Sequence, residues 1–191
     1  AAAKEQDQFE LATDDIMPGV ASPFADAEQF LAGERMDVQL TAEQKVRLDA
    51  MRASPAGKAY FLFRGLMAFH ERDEDKSAFL DADLSRLVWA HNAAFGENKN
   101  NRYKAALKRF VDKWADYELS AMALHHWARS VHQEDLVEAR NLALRGANAH
   151  RDSPGGKLCR NLVSEIEAKS YNVATERVWN APWPKIRVHY Q

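Results

Sequence analysis

LHHWARSVHQEDLVEARNLALRGANAHRDS, residues Leu124 to Ser153, consists of two segments with helical spacing joined by a short polar turn. In each segment the apolar residues recur three or four positions apart, which is the period of an amphipathic helix. The pattern predicts helices over about 117–132 and 135–149. Because so short a connection keeps consecutive helices side by side, we expect the two to be antiparallel.

This helix pair resembles a tetratricopeptide repeat. Small residues at Ala128 and Ala139 would let the two helices approach closely, as the repeat requires. The inter-helix turn is about one residue shorter than in that repeat and lacks its glycine, and Arg151 stands where its terminal proline falls. An ordinary antiparallel helix pair therefore stays open as an alternative. The residues on the repeat's packing positions are Leu124, Trp127, Ala128, Val131, Ala139, Ala143 and Gly146.

Further helices are predicted on both sides of this pair. Thr41 with Gln44 forms a capping-box pattern, and Ser54-Pro55 and Ser153-Pro154 each place a capping serine before a proline at the first helical position. Periodic apolar residues indicate additional helices over about 78–95 and 154–169, and a further one, after a loop at 96–101, with an apolar stripe from Tyr103 to Trp114. The helix after Pro55 is dense in large apolar residues, which predicts that it is largely buried: Tyr60, Phe61, Phe63, Leu66, Met67 and Phe69.

The predicted fold class is all-α, with antiparallel helix pairs in a TPR-like or α-solenoid array. Residues 1–40 read as a leader, in which the short apolar pieces Phe9–Met17 and Ala25–Leu31 flank a break at Pro18–Phe24. Residues 41–169 form the helical repeat-like domain. Residues 170–191 differ, because they alternate polar with β-branched or aromatic residues.

The tail YNVATERVWNAPWPKIRVHYQ predicts a short C-terminal β-hairpin or extended tail. One strand would run through Val173, a turn would span Asn180 to Pro184, and Ile186, Val188 and Tyr190 would share one face of the second strand. Two strands alone are marginally stable in water. We therefore expect this piece to pack against the helices or to leave an edge open for a further domain.

The run HRDSPGGKLCRNLVSEIEAKSYNVATERVWNAPWPKIRVHYQ is similar to a junction near the N-terminus of large bacterial α-2-macroglobulin-family proteins. There a helical segment leads into the first macroglobulin-like β-domain. The matching residues are Asp152, Ser153, Gly155, Lys157, Cys159, Asn161, Leu162 and Ile166 in the helix, then Tyr171, Val173, Arg187, Val188 and Tyr190.

This resemblance implies an exported periplasmic or cell-envelope protein and a protease-inhibitor family. It also implies that residues 170–191 begin a truncated β-domain, with the inhibitory regions outside this chain. Many members carry a thioester built from a Cys-x-x-Gln motif. Cys159 is followed by Arg160, Asn161 and Leu162, so it does not supply that motif.

Composition narrows the function classes further. The 26 Lys and Arg residues nearly balance the 28 Asp and Glu residues, and the net charge of −2 gives no general reason to expect a nucleic-acid partner. No apolar run approaches the roughly 18–20 residues of a transmembrane helix, so no direct membrane insertion is expected. With Cys159 as the single cysteine, an intrachain disulfide is impossible and a cysteine-built zinc site is disfavoured.

Four features of the sequence contain residue types that occur at reactive or binding sites. His125, His126 and His132 lack the i, i+3 or i, i+4 spacing of helical metal ligands. Asp73 to Leu84 lacks the central glycine and final glutamate of a calcium loop. Cys159 lies one turn into a helix, where a lowered thiol pKa would make it reactive, although a buried structural thiol is the commoner outcome.

The fourth feature is a basic helix whose aromatic residues fall on its apolar stripe, so they read as core rather than as stacking platforms. Its cations are Lys99, Arg102, Lys104, Lys108, Arg109 and Lys113, and its aromatics are Tyr103, Phe110 and Trp114. No catalytic, cofactor-binding or metal-binding residue is assigned.

The leading hypothesis is a non-catalytic helical protein–protein interaction module of an α-2-macroglobulin-like bacterial envelope protein. Its partner would be another protein or the β-domains of its own full-length chain. One alternative is a stand-alone helical-repeat adaptor or scaffold. Another is a small helical metal- or ligand-binding protein that uses the His125/His126 neighbourhood.

Overall fold

The computed structural model describes residues 18–32, 39–168, 171–175 and 186–190. Over these residues the chain forms eight α-helices followed by two short strands, which confirms the all-α class. The helices are α1 Ala27–Ala32, α2 Ala42–Ala53, α3 Pro55–His70, α4 Ser77–Ala93, α5 Lys99–Lys113, α6 Leu119–Val131, α7 Leu136–Ala149 and α8 Pro154–Glu167. The predicted piece Phe9–Met17 lies outside the described residues.

The predicted helix starts are confirmed by their caps. At Thr41 the capping box is complete: the Gln44 amide donates to Thr41 Oγ1 at 3.2 Å, and the Thr41 amide donates to Gln44 Oε1 at 2.9 Å. Ser54 and Ser153 accept from the amides of Gly57 and Gly156 at 2.9 and 3.0 Å. These side chains satisfy amides that have no carbonyl partner within the helix.

Helix α3 is the main departure from the predicted burial. Tyr60 and Met67 are fully buried, but Leu66 is 43% exposed and Phe69 is 77% exposed, so the prediction of a largely buried helix is wrong. Leu62, on the same side, is 73% exposed. The reason is that α3 packs against α1, α2 and α4 through one face, and no other described element covers the opposite face.

A buried arginine fixes the segment before α2 to the helices. Arg86 of α4 is 1% exposed and Asp83, one turn earlier, is 4% exposed. The Arg86 Nη2 and Nε atoms donate to Asp83 Oδ1 at 2.6 and 3.0 Å. The remaining donors reach the carbonyls of Pro23 at 2.6 Å and Ala25 at 2.9 Å. The charge is therefore paired, and two backbone carbonyls outside any helix gain donors.

Neighbouring carbonyls of the same segment are bound in the same way from α3 and α5. Tyr60 donates to the Ala21 carbonyl at 3.1 Å, Arg64 to Gly19 at 3.2 Å, and Arg109 to Phe24 at 2.6 Å. Residues 18–32 of the predicted leader thus share a core with the helices. Their buried apolar side chains are Val20, Phe24, Ala27, Phe30 and Leu31.

After α8 the backbone forms two strands, β1 Tyr171–Thr175 and β2 Ile186–Tyr190. They pair antiparallel, with Val173 opposite Val188 and Tyr171 opposite Tyr190. Residues 176–185, including the predicted turn at Asn180 to Pro184, lie outside the described residues. The hairpin as a whole therefore stays a prediction.

The Arg86–Asp83 pair leads to a stability prediction. Replacing Asp83 with alanine leaves a buried guanidinium without its counter-charge, so we expect the free energy of unfolding to fall by about 3 kcal/mol or more. Urea denaturation monitored by circular dichroism measures this loss. The control is Asp112→Ala, which removes the exposed partner of Lys108 and should cost less than about 0.5 kcal/mol. Equal losses in the two variants would contradict the assigned role of Arg86.

Candidate functional site

Helices α6, α7 and α8 each contact the other two, and small residues lie where they approach most closely. A Cβ atom added to Gly146 of α7 would lie 2.6 Å from Cys159 Sγ and 3.2 Å from Leu124 Cβ. Because non-bonded carbon and sulfur atoms do not approach to 2.6 Å, a side chain at Gly146 has no room. Cys159 is fully buried here, and its thiol donates to the Ala121 carbonyl at 3.4 Å.

The first turn of α8 lies directly against the backbone of α6. A Cβ on Gly155 would be 2.3 Å from the Met122 backbone nitrogen, and the obstructing atoms are backbone rather than a movable side chain. Gly156 is equally confined, because its Cβ would lie 2.1 Å from the His150 carbonyl oxygen. Neither the Gly156 contact nor the Met122 contact can be predicted from spacing along the chain, because each depends on how the chain folds back on itself.

The predicted repeat-packing residues are buried, except for Trp127, which is half-buried. The buried residues are Leu124, Ala128, Val131, Ala139, Ala143 and Gly146. The junction residues divide by exposure: Ser153, Gly155, Cys159 and Leu162 are buried, Ile166 is half-buried, and Asp152, Lys157 and Asn161 are exposed. The four buried residues therefore pack α8 against its neighbours, and the three exposed residues do not contribute to that packing.

Cys159 is a buried thiol, the outcome that the sequence favoured over a reactive one. Burial raises the pKa of the Cys159 thiol to about 11, so the thiolate that nucleophilic chemistry requires is scarce at neutral pH. The position near a helix N-terminus favours the thiolate, but loss of water around the sulfur outweighs it. The thiol acts as a small packing group between three helices.

A cleft of about 490 Å³ opens beside these helices, and we call it the polar cleft. Helices α4, α5, α6 and α8 and the turn between α6 and α7 contribute to it. Its lining side chains share polar or charged ends: His91, Asn100, Arg129, Ser130, His132, Gln133, Glu134 and Glu165. Clefts of several hundred Å³ are typical of ligand and peptide sites.

Ion pairs and a stacked ring give the polar cleft its geometry. Arg129 Nη1 lies 3.1 Å from Glu165 Oε2, which links α6 to α8. His91 stacks on the ring of Tyr103 with centroids 4.1 Å apart, and its Nε2 lies 3.0 Å from Asn100 Oδ1. Opposite charges and neutral hydrogen-bonding groups therefore line the same opening.

His125 and His126 lie beside the polar cleft on α6, and burial favours the neutral form of both imidazoles. The pKa of His126 is lowered to about 4, chiefly by burial and further by the neighbouring His125 and His91. Burial and the Arg129 charge also lower the pKa of His125, against an opposing effect of Glu165. Across the described residues, no group of three or more His, Cys, Asp or Glu side chains is arranged to hold a metal ion.

The basic helix is α5, and its aromatic residues Tyr103 and Phe110 are buried in the core, as predicted, whereas Trp114, the C-cap residue, is only half-buried. Several of its cations are engaged within the protein: Lys104 pairs with Glu134 at 2.8 Å, and Lys113 pairs with Glu28 at 2.7 Å. Of the segment from Asp73 to Leu84, the first four residues belong to the turn before α4 and the rest form the first turns of that helix. Of the helices described, none is both long and apolar enough to cross a membrane.

Comparisons of the chain with protein-family models, with curated protein sequences and with solved structures found no significant match.

Because α8 lies so close to α6, we expect a glycine-to-alanine change to destabilise the protein at their contact but not at a glycine with open space around it. Gly155→Ala forces a Cβ into the Met122 backbone, so we expect it to lower the free energy of unfolding by about 2 kcal/mol or more. The matched control is Gly65→Ala on α3, where an added Cβ meets nothing within 4 Å. In the monomer that change should be neutral or stabilise by up to about 1 kcal/mol, because alanine favours helix. Chemical denaturation of both variants measures the difference, and a harmless Gly155→Ala would contradict the contact.

The lowered pKa of His126 predicts that the stability of the fold depends on pH. Its pKa in the folded state, about 4, lies below the ordinary value of 6.5, so the unfolded chain binds more protons between these values. Stability from this group is therefore complete above about pH 6.5 and is lost as the pH falls toward 4. Since the ring is partly exposed, we expect a loss of about 1–2 kcal/mol rather than the full shift.

The measurement is urea denaturation of wild type and His126→Gln between pH 7.5 and about pH 4, a range chosen to span both pKa values. The stability of wild type relative to His126→Gln should fall toward low pH, since glutamine has no titratable ring. His132→Gln is the control, as that side chain lies at the cleft but is not part of the His125–His126 contact. Parallel curves for wild type and His126→Gln would contradict the assignment.

Proposed function

We propose that this chain is a non-catalytic helical protein–protein interaction module whose polar cleft binds a segment of a partner polypeptide. The observation that carries the proposal is the polar cleft itself, about 490 Å³ in volume and lined by side chains from four helices and one turn. A cleft shared by several elements has a shape fixed by their packing, as binding sites require.

The chemistry of the polar cleft suits a polypeptide. Arg129 donates hydrogen bonds, Glu134 and Glu165 accept them, and Ser130 and Gln133 can do both. An extended peptide presents N–H donors and C=O acceptors in alternation, so a mixed lining can pair with it along its length. Near-neutral lining charge also disfavours a strongly charged ligand such as nucleic acid.

Two observations support a non-catalytic role. The single thiol, Cys159, is buried and its pKa is raised, so it is a poor nucleophile. Of the two cleft histidines, His91 has its Nε2 within hydrogen-bond distance of the Asn100 amide, which cannot take or give a proton in acid–base chemistry. The polar side chains of the cleft are therefore suited to binding by hydrogen bonds.

The proposed partner is the β-rich part of an α-2-macroglobulin-like envelope protein, to which β1 and β2 would belong. The supporting observation is that the junction residues Ser153, Gly155 and Cys159 fix α8 closely against α6 and α7, directly before β1. Export to the periplasm or cell envelope is part of this proposal, as is a TPR-like array in which buried Ala128, Ala139 and Ala143 permit close helix pairing.

The reading frame around the coding region tests the family assignment. We expect an export signal upstream and a long continuation rich in β-strands downstream. A stop codon directly after Gln191 would contradict the assignment, while leaving the polar cleft available to another partner.

Binding to the polar cleft is tested with a charge reversal. Glu165→Lys places a cation beside Arg129 and removes an acceptor, so we expect affinity for the separately produced β-rich part to fall by about tenfold or more. Isothermal titration calorimetry measures the change. The matched control is Glu167→Lys. Glu167 lies on α8 like Glu165 and forms a similarly exposed ion pair with Arg140 of α7, but it does not line the polar cleft.

The control variant should bind within about twofold of wild type, since exposed ion pairs contribute little by themselves. Equal loss in both variants would indicate a general effect of charge and contradict a role for the cleft. No measurable binding by the wild-type chain would contradict the proposed partner.

A further inference from the structure

Helix α3 carries an apolar stripe that nothing in the described chain covers. We define the α3 stripe as Leu62, Gly65, Leu66 and Phe69, which are spaced i, i+3, i+4 and i+7 and so lie on one face of the helix. Leu62 is 73% exposed, Leu66 43% and Phe69 77%. Three large apolar side chains side by side on one helix mark an interaction surface more than scattered exposed residues do.

Gly65 lies in the middle of the α3 stripe, and a Cβ placed on it meets no atom within 4 Å. At Gly155, by contrast, the backbone of a neighbouring helix already lies within that distance. At Gly65 the corresponding space is open. A second helix could therefore approach the α3 backbone closely at the centre of the stripe, with Leu62 and Phe69 on either side.

The two ends of α3 carry opposite charge. Near the N-terminal end are exposed Lys58 and Arg52, the latter held over the Phe61 ring at 5.6 Å. After the C-terminal end, the turn Glu71–Lys76 contains four acidic and two basic residues. Within that turn Lys76 donates to the carbonyls of Glu71 and Asp73, while Glu74 is exposed.

When two copies of this surface face each other with their α3 helices antiparallel, the apolar stripes meet and opposite charges face each other at both ends. We propose that the α3 stripe is the interface of a homodimer in which two copies of α3 pack antiparallel about a two-fold axis near Gly65 and Leu66. Leu62 of one copy then lies near Phe69 of the other, and Lys58 lies near Glu74 of the other. A parallel arrangement would place like charges together at both ends, which is unfavourable.

The predicted affinity is modest. One helix face from each copy buries less surface than the roughly 1,200 Å² total that marks the lower end of stable interfaces. We therefore expect a dimer with a dissociation constant in the micromolar range, populated at the concentrations used for sedimentation. The polar cleft is formed by α4, α5, α6 and α8, so this inference does not rest on the proposed function.

Cysteine crosslinking tests the geometry, because the native Cys159 is fully buried and wild type serves as the background. Leu66→Cys places a thiol near the two-fold axis and should form a disulfide-linked dimer under mild oxidation. Leu62→Cys alone should not, but a mixture of Leu62→Cys with Phe69→Cys should yield the mixed dimer. Crosslinking of Leu62→Cys to itself would indicate a parallel pair and would overturn the proposal.

Sedimentation equilibrium tests the energetics without added thiols. Leu66→Glu should weaken self-association by about tenfold or more, since two carboxylates would meet at the axis. Val137→Glu is the matched control: Val137 is 70% exposed on α7 and should leave the dimer unchanged. Lys58→Glu and Glu74→Lys should each weaken the dimer, and the double variant should recover most of the loss.

Circular dichroism checks that each variant remains folded, which we expect for exposed positions. A wild-type chain that sediments as a monomer at all concentrations, up to a few hundred micromolar, overturns the proposal. If in that monomer the Leu66→Cys thiol also reacts slowly with a thiol reagent, the stripe is covered from within the same chain. If it reacts rapidly, the stripe is free for a different protein. Either result replaces the homodimer.

Discussion

The guanidinium of Arg86 is the interaction on which the N-terminal half of the fold depends. It is almost completely buried, shares its charge with Asp83, and binds the carbonyls of Pro23 and Ala25. It also lies 4.3 Å from the centre of the Phe30 ring. Because a buried charge is stable only when it is paired and hydrogen-bonded, this one residue fixes the positions of α4, the segment before α1 and α1 itself.

The C-terminal half depends on a different constraint, the absence of side chains. Gly146 and Gly155 stand where α7 and α8 approach their neighbours too closely for a Cβ, and Cys159 fills the space between them. The polar cleft opens where these packed helices meet α4 and α5. The backbone around this opening is held by the packing of those helices, while lining side chains such as Arg129, Glu134 and Glu165 are exposed.

Much of the helical plan could be predicted from the sequence. The caps at Thr41, Ser54 and Ser153 act within three residues, so their hydrogen bonds are visible in the local pattern. The small residues of the α6–α7 pair could be read in the same way. The exposure of Leu66 and Phe69 could not, because whether an apolar face is covered depends on elements distant in the chain. The polar cleft was missed for the same reason: its lining comes from residues 91 to 165.

By itself, then, the sequence determined what short-range physics controls: the helix boundaries, their caps, the polar turns and the amphipathic stripe of α5. The tertiary structure alone decided the partners of Arg64, Arg86 and Arg109, which reach carbonyls 45 to 85 residues away. It also raised the pKa of the Cys159 thiol, which the helix N-terminus alone would lower. Desolvation causes the pKa shift, and the arginines need carbonyls from another part of the chain, so both effects arise only when distant segments pack together.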